Sequence, residues 1–193
     1  MIPTREAALE LFLRHNRDEM HLRHARALEV VMRHFAPRYG GDVDLWGVVG
    51  LLHDLDWEET QHAPERHTAD AIPLLRDEGY DEQIVRAMRS HSWGLLQDDV
   101  PPVTPMEKVL YAVDELTGFV SAVALVRPSR SLSDLEPKSV LKKWKDKAFA
   151  RGVDREVISR GAELLNVPLE ELISAVIEAL RPVETELGLG TAR

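Results

Sequence analysis

GVVGLLHDLDW, residues 47–57, is the stretch on which the reading of this chain turns. It is almost entirely apolar from Gly47 to Leu52, and then His53 stands directly beside Asp54, with Asp56 following. An apolar run of this kind points inward, so the titratable pair rides on the end of a segment suited to the core. Adjacent residues of a helix lie about 100° apart, so the two side chains flank one point beside the helix end. That end is the C-terminal one, where the helix dipole favours a cation. A neutral imidazole and a carboxylate suit zinc, manganese or iron. Taken alone, the dipeptide is most simply a surface pair closing a helix.

Outward from this stretch the pattern is helical. Upstream, TREAALELFLRHN (4–16) repeats Ala8, Leu11 and Phe12 at helical spacing, and LRHARALEVVMRHFA (22–36) puts Ala25, Leu28, Val31, Met32 and Phe35 on one stripe. YGGD (39–42) breaks the chain, and Asp42 or Asp44 caps the helix that ends in the pair. Downstream, Pro64 suits the first turn of a helix ending at Gly79, and Pro73 kinks it or delays its start. Asp81 caps EQIVRAMRSH (82–91). TPME (104–107) reads as a capping box, with Thr104 as cap, Pro105 at the first position and Glu107 reaching back. It opens the longest apolar helix, to about Val126. PKSVLKKWKDKAF (137–149), DREVISRGAELLN (154–166) and PLEELISAVIEALRPVETELG (168–188) give three more helical segments. Alternating runs of strand length are missing. The predicted fold is one all-α domain over residues 1–193, a bundle of about eight or nine helices.

Composition narrows the function. The 193 residues are 44% hydrophobic, enough for a real core, and the net charge of −9 argues against an extended nucleic-acid surface. With no cysteine, disulfides and thiolate metal sites are excluded. The N-terminus lacks a basic start followed by an apolar core, and no apolar run approaches the roughly 20 residues of a membrane span, so a cytoplasmic protein without membrane contact is expected.

Asp114 sits inside the most apolar helix, in KVLYAVDELTGFV (108–120). A buried carboxylate without a partner costs several kcal/mol, so it is paired, protonated or metal-bound. His24 edges the apolar stripe of its helix, His91 ends another helix, and His67 follows the apolar run. Each histidine alone is most simply a satisfied or exposed imidazole. Together they are harder to dismiss, because helical bundles build metal sites from facing helices.

The order His24, His53-Asp54, Asp114 resembles the signature of the HD superfamily of metal-dependent phosphohydrolases. The resemblance covers roughly residues 20–127, with RHARALEVVM, GLLHDLD and AVDELTGFVSA as its local text, and KSVLKKWKDKAFARGVDREVI (138–158) is similar to the tail of a bacterial subgroup of uncharacterised members. It implies an HD core at 20–127 with a helical extension at 128–193 packed on it. It implies two divalent transition-metal ions per chain (manganese, iron, zinc, cobalt or nickel), held by His24, His53, Asp54, His67, His91 and Asp114, with Asp54 bridging and His53 and Asp54 central to catalysis. The implied activity is hydrolysis of a nucleotide or other small phosphorylated metabolite. The same six ligands also occur in HD-type di-iron oxygenases, and a non-catalytic, ligand-sensing metal domain is a further alternative. Two departures stand out. Many members follow the pair with glycine and lysine, where this chain has Leu55, Asp56 and Trp57. His21 also lies on the inner stripe as squarely as His24. Periodicity leaves both open, and the family text after His24 favours it.

His15, His34 and His62 read as surface residues. Lys138, Lys142, Lys143, Lys145 and Lys147 crowd one segment of an acidic chain. The plain reading is a solvated helix face; the sharper one is a clamp for an anionic substrate on Lys138, Lys142 and Lys145, which share a face by their spacing. Trp57 and Trp93 are packing residues or platforms for a base. The amphipathic C-terminal helices suit core packing or a homodimer face.

Overall fold

The computed structural model describes residues 1–190. Among these residues it is all-α, with ten α-helices, three short 3-10 turns and no strand. Nine helices have seven residues or more, in line with the expected bundle; the tenth, Trp57–Thr60, is a single turn. No described helix is long and apolar enough to cross a membrane. By packing, the chain divides into two compact units, Met1–Tyr111 and Ala112–Arg193, with the boundary inside one helix. The resemblance implies a division at 127/128.

The first unit holds α1 (Arg5–His15), α2 (Glu19–Phe35), α3 (Val43–Leu52), α4 (Trp57–Thr60), α5 (Ala71–Asp77), α6 (Glu82–His91) and the start of α7 (Pro105–Leu125). Of the two cap candidates for α3, Asp42 serves, accepting from the Asp44 and Leu45 amides. Every residue of α3 from Leu45 to Leu52 is buried, and the helix packs against α1, α2 and α6. A hydrophobic helix buried all round is the expected centre of a bundle. Gly50 makes its crossing with α2 close: a Cβ there would stand 2.6 Å from the Leu28 carbonyl oxygen and 2.9 Å from Met32 Cγ. Glu29, buried on α2, takes a bidentate bond from Arg5 at 2.6 and 2.9 Å and another from Arg33, so its charge is compensated.

Asp81 caps α6, and Thr104 and Glu107 form the expected reciprocal box at the start of α7. The segment after the single-turn α4 is shorter in helix than its pattern suggests. Pro64–Arg66 is only a 3-10 turn, and α5 starts at Ala71. Pro73 thus falls in the first turn of α5, where its missing N–H costs no helical bond, which is the delayed start rather than the kink.

The second unit contains the rest of α7 with α8 (Pro137–Trp144), α9 (Arg155–Leu165) and α10 (Leu169–Leu180). Its core includes Leu116, Phe119, Val120, Ile158, Ile173 and Val176. Gly161 of α9 lies so close to α7 that a Cβ would meet the Ala112 Cα at 2.5 Å. Asp154 caps α9, and Asn166 ends it in the left-handed conformation. The predicted helix 137–149 stops at Trp144. In the turn that follows, Arg155 donates to the carbonyls of Asp146 and Phe149, and Phe149 packs on Phe119. α10 likewise ends at Leu180, two residues before Pro182.

Candidate metal centre

The close α2–α3 crossing at Gly50 has a chemical consequence. His24 lies one turn before Leu28, and His53 one turn after Gly50, so the crossing brings the two imidazoles together with Nε2 atoms 3.2 Å apart. Asp54, next in the chain, turns one carboxylate oxygen to this pair: Oδ2 is 3.1 Å from His53 Nε2 and 4.0 Å from His24 Nε2. Its other oxygen faces a second pair, with Oδ1 3.3 Å from His67 Nε2 and 3.6 Å from His91 Nε2. Those two nitrogens are 3.3 Å apart. Asp54, His67 and His91 bring three ligand atoms within 4.8 Å of one another. Asp114 lies on α7, three residues beyond Tyr111.

The far ring nitrogens fix the tautomers. His53 Nδ1 meets the Gly50 carbonyl at 2.9 Å, and His91 Nδ1 meets the Met88 carbonyl at 2.6 Å. His67 Nδ1 meets Asp56 Oδ1 at 2.8 Å. Carbonyls and carboxylates only accept, so each Nδ1 carries the hydrogen. In the neutral rings the Nε2 atoms of His53, His67 and His91 are then lone pairs, and those of His67 and His91 face one another. A shared proton or a bound metal ion satisfies that arrangement. Two nitrogens bound about 2.0–2.1 Å from a zinc-sized ion stand roughly 3.0–3.4 Å apart, which is the spacing of both pairs. The donors therefore fit two transition-metal ions with Asp54 between them.

Electrostatics agree. Burial alone would raise the Asp54 carboxyl; the charge and hydrogen bond of His53, with bonds from His67 and His91, instead hold it well below the ordinary carboxylate range. Burial would lower His67, but Asp54 and Asp56 outweigh it and raise the imidazole to about 9. Without a metal, the carboxylates thus retain a proton on His67 at the place where an ion would sit.

In the sequence Asp56 stands out only as a departure from family text, and its part in the site emerges from the structure. It is wholly buried, and its two oxygens accept from His67 Nδ1, the Thr68 amide and the Ala71 amide. It thereby orients the His67 ring and binds the start of α5, the carboxylate–imidazole support that metal-ligating histidines commonly use. The only available signal was a second acid two residues past the pair, in a stretch otherwise fit for burial. Asn16, also buried, ties the end of α1 to the Leu55 carbonyl and steadies the same turn.

The remaining candidates separate cleanly. His21 is not with the pair: its Nδ1 is 3.1 Å from Glu58, which also accepts from the Arg17 and Asp18 amides. His15 pairs with Glu59 and His34 with Arg38, while His62 is exposed. Trp57 packs edge-on against His67, and Trp93 lies against Tyr111. Lys138, Lys142 and Lys145 are exposed; Lys138 pairs with Glu136 at 2.5 Å, and Lys145 stands beyond the last turn of α8. Lys138 and Lys142 lie within α8, and Lys145 is its C-cap, still with αR backbone angles.

No curated protein matches the chain. The HD domain matches residues 21–118, just over half of its length. That match and the two His/Asp ligand groups support a metal-dependent phosphohydrolase acting through a two-metal site. The chain belongs to the HD domain family.

Proposed function

We propose that this enzyme hydrolyses the phosphate ester or anhydride of a nucleotide or another small phosphorylated metabolite. His24, His53 and Asp114 would hold one ion and His67 and His91 the other, with Asp54 shared between them. The observation that carries this reading is the pair of facing Nε2 atoms on either side of one carboxylate, each oxygen of which addresses one pair. Bound metal ions would supply Lewis acidity toward phosphoryl oxygens and a water of near-neutral pKa.

The protein's own part is positional. Asp56 holds His67 in one tautomer, and the Gly50 and Met88 carbonyls do the same for His53 and His91. Side-chain exposure of 20% at Asp54 and 28% at His24 opens the site to solvent on one side, where a small substrate can enter. His53, His67 and His91 close the other side, with 0–4% of their side chains exposed, and exclude bulk water there. The exposed lysines Lys138, Lys142 and Lys145 belong to this reading as candidates for the remaining negative charge of a polyphosphate or carboxylate substrate. Residues 20–127 as a core with an extension at 128–193, a cytoplasmic setting and a homodimer complete the proposal.

A panel of nucleotides and phosphomonoesters, assayed with manganese, cobalt or nickel, tests it. Metal-dependent phosphate release is the expected result. A silent panel, together with a mixed-valent EPR signal of the iron form that shifts on adding a candidate substrate, would transfer the site to oxygenase chemistry.

A further inference from the structure

The two histidine pairs are not built alike. His24 and His53 lie on or at the end of helices locked together at Gly50. His67 follows a 3-10 turn and precedes α5, so no regular element holds it against His91. The His67–His91 separation of 3.3 Å therefore depends on side-chain links between the two segments.

Thr68 is placed to do it. Its φ is 65°, and among the described non-glycine residues with positive φ it alone is β-branched. A β-branched residue resists this region and adopts it only where its surroundings over-determine it. Thr68 is wholly buried. Its amide donates to Asp56 Oδ1, the same oxygen that holds His67. Its hydroxyl accepts from Arg89 Nη1 at 2.9 Å and stands 3.2 Å from Ser92 Oγ. Arg89 and Ser92 flank His91 in the chain. Arg89 is itself anchored, through Nη2 to Asp99 and through its carbonyl to Gln97 and Ser92.

We infer that Arg89 and Thr68 form a latch between the His67 segment and α6 that sets the His67–His91 spacing, and that both are positioning residues for one of the two ions. The inference rests on the two-metal reading above. It predicts an asymmetric defect: loosening the latch should weaken the ion held by His67 and His91 and spare the one held at the α2–α3 crossing.

Full-length, chelator-treated protein titrated with manganese chloride provides the test, read by calorimetry, EPR and thermal melting. Wild type should bind two ions with an exchange-coupled signal. Arg89→Ala and Thr68→Ala should bind one ion within about twofold of the wild-type affinity and the other at least about tenfold more weakly, the scale of lost outer support. Their EPR at one equivalent should be that of isolated manganese, and metal-free melting should stay close to wild type. Thr68→Ser, which keeps the hydroxyl, should restore two coupled ions; this pair decides the matter even if Arg89→Ala does not fold. Two ions at wild-type affinity in Arg89→Ala and Thr68→Ala would overturn the latch alone. Equal weakening of both ions with a lowered melting temperature would also overturn it, leaving a purely structural role. A wild-type chain that binds fewer than two ions would overturn the two-metal reading and the latch with it.

Discussion

Residues 53–71 and residues 138–147 both carry dense charge, and only the first segment buries it. His53, Asp56 and His67 are buried, each with a fixed acceptor or donor on its polar atoms. Lys138, Lys142, Lys145 and Lys147 are exposed, and Lys138 pairs with Glu136, two residues back. Buried titratable groups are costly unless paired or metal-bound, whereas exposed charges cost little and contribute little. The contrast teaches where to look for chemistry: at charge that the fold has gone to the expense of burying and then orienting.

That contrast can be broken most forcefully at Asp54. Asp54→Ala removes the one group addressed to both histidine pairs, and affinity for metal should fall by more than about a hundredfold, beyond the effect of an outer partner. Elemental analysis of the purified variant should find it nearly empty and inactive. Retention of both ions would remove Asp54 from its bridging place.

Asp56→Ala should come next. It leaves His67 Nδ1 and two backbone amides without their acceptor, and the expected loss is 10- to 100-fold in affinity for one ion. A fall in stability of about 3–5 kcal/mol should accompany it, as when one partner of a buried charged network is deleted. Denaturant unfolding and manganese titration measure the two. Unchanged values would make Asp56 a bystander.

A third test uses pH on metal-free protein. His67 is raised from 6.5 to about 9 in the folded chain. A raised folded pKa adds stability that is complete below about 6.5 and is lost as pH climbs through about 9. The melting temperature of chelator-treated protein should therefore decline across that interval, and His67→Asn should flatten the decline. Loaded protein should not show it, since the ions occupy the proton's place. A flat profile in metal-free wild type would mean that the two carboxylates do not act on His67 as the geometry implies.

The smallest effect is expected in the lysine segment. Lys142→Ala should raise KM for an anionic substrate by roughly tenfold or less, about 1.4 kcal/mol at most, with metal content unchanged. No change would return the segment to a solvated helix face.

The same two segments show what a sequence can disclose. Helix starts were legible wherever a side-chain cap sits beside an apolar stripe, as at Asp42, Asp81, Asp154 and the Thr104–Glu107 box. The end of α8 was not, because the turn that follows is bonded by Arg155, which reaches back from the next helix. His21 and His24 share one stripe, and only the placement of Glu58 beside His21 and of His53 beside His24 separates them. Asp56 and Thr68 left almost no trace, since a buried acid and a left-handed threonine declare themselves through partners 11 to 24 residues away.

The most direct test of the central claim is the metal content of the wild-type chain. Protein purified without chelator and then loaded with manganese should hold about two ions per chain by elemental analysis, with His62→Ala, at an exposed histidine, unchanged. A chain that carries no metal as purified and fails to take up manganese, iron or zinc would contradict the account.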